Sequence, residues 1–76
     1  MYAKLIVKRE DEQRECLFEG NKVYHHPDPS GSVHFEMFDG NEQVCEWLLD
    51  ESCKVYVTNS NGKTIEVICG TRPPKQ

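Results

Sequence analysis

Cys16, His25, His26 and His34, with Asp28 and Glu36 close by in sequence, are the side chains that could ligate a metal or support nucleophilic catalysis. Zinc takes a tetrahedral set of donors, usually offered as closely spaced pairs that fix the bite. Here the nearest cysteines are Cys45 and Cys53, and His25 and His26, as neighbours on a strand, point to opposite faces. No metal site is therefore expected, with a small zinc-binding module as the weaker alternative. A Cys16–His25 pair would further need an activated thiolate, an orienting third group and an oxyanion site, and only the pair itself can be named. There is no P-loop, dinucleotide fingerprint or recognisable carboxylate pair, and Gly20, Gly31, Gly40, Gly62 and Gly70 read as turn residues. Neither catalysis nor a cofactor is expected.

The remaining chemistry is electrostatic. Between Lys22 and Lys54 there is no lysine or arginine, while Asp28, Glu36, Asp39, Glu42, Glu46, Asp50 and Glu51 give that interval a formal charge of −7. The other 45 residues carry nine basic and six acidic side chains, a balance of +3, so the chain is electrically two-sided. Such polarity suits docking on a basic partner, and a solvated face kept for solubility is the plainer alternative.

Size and composition narrow the classes. Seventy-six residues make one small domain, which leaves little core to spare for a deep active site. The expected body spans residues 1–70, with 71–76 a flexible tail. A pI near 5.2 and a net charge of −4 argue against direct nucleic-acid binding, which calls for a cationic face against phosphates. The apolar run Leu5–Val7 has no cleavage site after it, and no stretch approaches the roughly 20 apolar residues of a membrane helix. The expectation is a cytoplasmic protein with no membrane contact, acting in the host cytoplasm if viral, in which the four cysteines are buried thiols.

The elements that position these groups follow from periodicity. Residues 3–9 and 14–19 alternate as strands around a charged turn at Asp11 and Glu12, a register that sets Lys8 against Glu15, Lys4 against Glu19, Val7 against Cys16 and Leu5 against Phe18. Gly20-Asn21 supplies a second tight turn into Lys22–His26, completing an antiparallel meander with Cys16 opposite His25. Residues 26–31, with Pro27 and Pro29, form a loop before the strand 33–38. Val44, Trp47 and Leu48 fall at i, i+3 and i+4, which predicts a short helix over about 41–50 with Glu42, Glu46 and Asp50 along its outer face. In the last hairpin a three-residue loop, Ser60-Asn61-Gly62, sets Val55 against Val67, Val57 against Ile65 and Cys53 against Cys69. Facing cysteines would bridge only on oxidation.

The architecture expected is α+β: an antiparallel sheet of about five or six short strands, covered by one helix. The core would join Val44, Trp47 and Leu48 to Leu5, Val7, Phe35, Met37, Val55, Val57, Ile65 and Val67. The expected function is a non-catalytic module that binds a protein with a basic surface, through Glu36, Asp39, Glu42, Glu46, Asp50 and Glu51 with Phe38 and Trp47 as apolar anchors. Small acidic chains without a catalytic kit are a common form of phage or mobile-element inhibitor, an analogy of type alone. The alternative is a homodimer through Ile6, Leu17 and Tyr24, expected to line up across adjacent strands, with Tyr2, Tyr56 and Ile68 extending the strip.

Overall fold

A computed structural model describes residues 1–72, and every one of its regular elements is a strand. They are β1 (Tyr2–Arg9), β2 (Glu12–Glu19), β3 (Lys22–Pro27), β4 (Val33–Asp39), β5 (Glu42–Leu49), β6 (Cys53–Thr58) and β7 (Thr64–Cys69). A four-stranded antiparallel sheet, in the order β2-β1-β6-β7, faces a three-stranded antiparallel sheet, β3-β4-β5. The fold is all-β, which overturns the α+β expectation and its packing helix.

Residues 42–49 form a strand because Asp39-Gly40-Asn41 turns the chain back on itself, with Gly40 at a φ of 64° and its amide held by Asn21 Oδ1 at 3.0 Å. Val44 is the extra residue of a β-bulge, since Met37 pairs with Cys45 but Phe38 with Gln43. Past the bulge the alternation is plain strand, with Leu49 fully buried and Leu48 exposed. The inserted residue brings Val44 to the core side with Trp47, and the exposed Leu48 completes the apparent helical spacing.

The meander is also corrected. Strand β3 pairs with β4, and none of its residues pairs with β2. Gly20 and Asn21 carry the chain from one sheet to the other: the Gly20 amide donates to Met1 O (3.1 Å) and that of Asn21 to Phe38 O (2.8 Å). Gly20 is needed for close approach, because a Cβ there would sit 2.5 Å from Phe38 O. In the first hairpin the turn is Glu10-Asp11, one residue earlier than expected, so Lys8 faces Gln13, Lys4 faces Leu17 and Leu5 faces Cys16. A slip of two positions keeps every side chain on its expected face.

The final hairpin has the three-residue loop, closed by Asn59 N to Lys63 O at 2.9 Å, with Gly62 at a φ of 82°. A second bulge, at Ile65, then shifts the register so that Val55 meets Ile68, Val57 meets Glu66 and Lys54 meets Cys69. Cys53 is thus buried in the core while Cys69 is exposed, and the expected facing pair does not form.

The core lies between the sheets: Ala3, Leu5, Cys53, Val55, Val57 and Ile68 from the larger, and Phe35, Met37 and Leu49 from the smaller. Val7 and Val44 pack at its margin, whereas Ile65, Val67, Leu48 and Trp47, expected in the core, are exposed. Phe18 and Trp47, centroids 6.4 Å apart, close one open side of the sandwich, and His25 meets Glu66 at 3.2 Å on the other. Thr71 is tied back through its amide to Leu49 O at 3.2 Å, and Arg72 approaches Glu51 at 3.9 Å. The rest of the expected tail lies outside the described residues.

Candidate functional site

Alternation along the smaller sheet turns one side chain in two away from the core and builds an outer face of three cross-strand rows. These are Lys22–Phe38–Gln43, Tyr24–Glu36–Glu46 and His26–His34–Leu48. Lys22 is the single lysine or arginine on these strands. Tyr24 and Phe38 pack edge to face, centroids 5.7 Å apart, beside a shallow recess of about 230 Å³ lined by Lys22, Tyr24, Phe38, Gly40 and Asn41. At the hairpin end next to this recess, Asp39 and Glu42 are both exposed.

The middle row sets two carboxylates directly across from each other, an arrangement that costs stability unless a positive group lies between them. The His34 imidazole reaches both carboxylates, with its Nε2 3.2 Å from Glu36 Oε1 and 3.0 Å from Glu46 Oε2. Its other ring nitrogen, Nδ1, lies 3.2 Å from His26 Nε2 across the strand pair. The ligand atoms of His34, Glu36 and Glu46 all fall within 4.8 Å of one another. His34 and Glu36 are half-buried and Glu46 is exposed, so the group sits at the surface but not loosely on it.

The other residues proposed for partner contact are dispersed. Trp47 turns inward against Phe18, away from the outer face. Asp50 and Glu51 lie in the turn between β5 and β6, where Asp50 pairs with Arg9 at 3.2 Å and Glu51 approaches Arg72. Asp50 accepts from the Ser52 hydroxyl and from the Ser52 amide at 2.8 Å, and these hydrogen bonds hold its carboxyl below the usual value of 3.8. Ser30 lowers Asp28 in the same way. The acidic run is therefore divided: Glu36, Asp39, Glu42 and Glu46 sit on or beside one sheet face, and Asp50 and Glu51 are tied to arginines.

The apolar strip is divided as well. Ile6 and Leu17 lie on the outer face of the larger sheet but are not opposite each other, and Tyr24 belongs to the other sheet. Tyr56 shares a row with Lys4 and Leu17, whereas Ile68 is buried. Cys16 and His25 also stand in different sheets, which removes the proposed nucleophile–base pairing. Cys16 instead lines a cleft of about 470 Å³ with Leu5, Val7, Trp47 and Cys53, rimmed by Arg9, Glu12 and Arg14.

Sequence reasoning placed Tyr24 on the wrong surface and set His26 aside as a loop residue. The signal for both was present, since the even-numbered residues 22–26 and 34–38 share a face once residues 28–32 are read as the loop of a hairpin that pairs Pro27 with Val33. The chain matches no protein family, no curated protein and no solved structure.

Proposed function

We propose that this protein is a non-catalytic binding module that docks on a basic surface of another protein through the outer face of β3-β4-β5. The observation that carries this is the juxtaposition on one sheet of Glu36, Glu46, Asp39 and Glu42 with an edge-to-face Tyr24–Phe38 pair and a single lysine. The exposed carboxylates would steer encounter and set specificity, while the aromatic pair, with Tyr24 52% exposed, supplies the anchor that charge alone does not. Blocking a host factor is the use such a module would serve in a phage or mobile element. The four unbridged cysteines support a reducing cytoplasm as its setting. Described residues include no helix long and apolar enough to cross a membrane.

The test is affinity capture from the native cell at low and moderate salt, in chelator, with a Glu42→Lys/Glu46→Lys double variant as control. A partner held by the wild type, released by salt and lost on the variant is expected. No specific capture, or equal retention by the variant, overturns the proposal.

A second mode is favoured by Leu17 and Val67, 64% and 47% exposed on the outer face of the larger sheet: assembly of two copies through that face. Light scattering of wild type against Leu17→Lys decides it, since monomers in both remove the dimer.

A further inference from the structure

We infer that His34, Glu36 and Glu46 form a surface site for a first-row divalent transition ion, zinc by its donor set, with His26 as the residue that positions the imidazole. Bond lengths of about 2.0–2.2 Å to nitrogen and oxygen, at tetrahedral angles, put donor atoms about 3.3 Å apart. His34 Nε2 stands 3.2 Å from one carboxylate and 3.0 Å from the other, so an ion in place of the Nε2 proton finds both within reach. Glu46, its side chain 56% exposed, can rotate to close the separation between the two carboxylates. Three protein ligands leave the fourth position to water.

Three features separate this group from an ordinary patch of acids. An imidazole stands among the carboxylates, and nitrogen donors select transition ions over calcium or magnesium. With the ion on Nε2, the remaining ring proton of His34 resides on Nδ1 and donates to His26 Nε2 at 3.2 Å, the kind of outer contact that fixes the tautomer and ring plane of a metal-bound histidine. The row that carries the facing glutamates, Tyr24–Glu36–Glu46, has no lysine or arginine, so a divalent cation turns a repulsive pair into ligands. The expectation of no metal rested on spacing along the chain, whereas these donors are gathered across strands. The site rests on coordination geometry and is independent of the docking proposal, since ion binding is measured without any partner.

The experiment uses the tag-free full chain, stripped with chelator and titrated with zinc alone by calorimetry. One ion per chain at a Kd of about 10 μM or tighter is expected. His34→Gln and Glu36→Gln each weaken binding at least about tenfold, His26→Phe weakens it about 10–100-fold, and His25→Gln, on the far side of the sheet, leaves it unchanged. Long-range ¹H–¹⁵N spectra of the zinc-loaded wild type should show His34 metallated at Nε2 and protonated at Nδ1, a readout that needs no variant to fold. The inference is overturned by absence of one-to-one binding, by affinity that survives His34→Gln or Glu36→Gln, by loss in His25→Gln, or by metallation of another histidine.

Discussion

Leu48 and Leu49 are adjacent in sequence and opposite in fate, and truncating each tests the strand that presents the outer face. Leu49 is fully buried among the residues of the inter-sheet core, whereas Leu48 is 55% exposed. Replacing a buried leucine by alanine removes the transfer free energy of its carbons and leaves a cavity, together about 2–5 kcal/mol, with the lower end expected in a thin sandwich that can settle around the gap. For a domain of this size each kcal/mol moves Tm by about 4–8 °C, so Leu49→Ala should lower Tm by roughly 10–20 °C. Leu48→Ala, on the solvated face, should cost under about 0.5 kcal/mol and shift Tm by less than about 4 °C. Thermal melts followed by circular dichroism make the comparison, with Leu49→Val as a milder variant in case the alanine form is largely unfolded at room temperature. A helix over 41–50 reverses the order, since Leu48 would then be the core residue. A loss at Leu48 equal to or greater than that at Leu49 refutes the strand assignment and the outer face built on it.

Other outcomes follow from the same coordinates. Gly70→Ala should abolish stable folding, because its Cβ would overlap Asp50 O and lie 2.7 Å from Leu49 C, both backbone, whereas Gly40 and Gly62 have open space and only a φ penalty; soluble yield and melts of the three alanine variants rank them. Asp50 is held below its ordinary 3.8 in the folded chain, so its contribution is present above that value and lost as pH falls below it; urea unfolding at pH 7 and pH 3 should show an acid-side loss that Asp50→Asn reduces. Burial raises the Cys45 thiol and hides Cys53, so a thiol reagent should titrate Cys16 and Cys69 rapidly and the other two slowly, and oxidation should form no Cys53–Cys69 bridge.

What the sequence disclosed and what it concealed divide along the two bulges. The two strands of the first hairpin and the faces of their side chains, though not its turn or register, were legible together with the Ser60-Asn61-Gly62 loop and the core positions Leu5, Phe35, Met37, Val55 and Val57, because alternation and turn chemistry act locally. A bulge is invisible to periodicity: one brought Val44 to the core side with Trp47, an apparent helical spacing that the exposed Leu48 completes, and the other, at Ile65, displaced Cys69 from Cys53. Gly20-Asn21 misled for another reason, since glycine and asparagine suit a hairpin as well as a crossing between sheets, and only the approach of Phe38 O to Gly20 decides between them. The anionic face was half-legible. Its carboxylates were named from charge alone, but their neighbours depended on which strands pair, so Tyr24 and His34 joined it only in three dimensions while Asp50 and Glu51 left it.

The rate at which the captured partner associates, measured by stopped flow in chelator across a range of ionic strength, bears most directly on docking through the anionic face. The wild type should bind faster at low salt and lose that advantage as salt rises, with Glu42→Lys/Glu46→Lys slower and nearly flat. An association rate and salt slope unchanged in the variant would contradict the account.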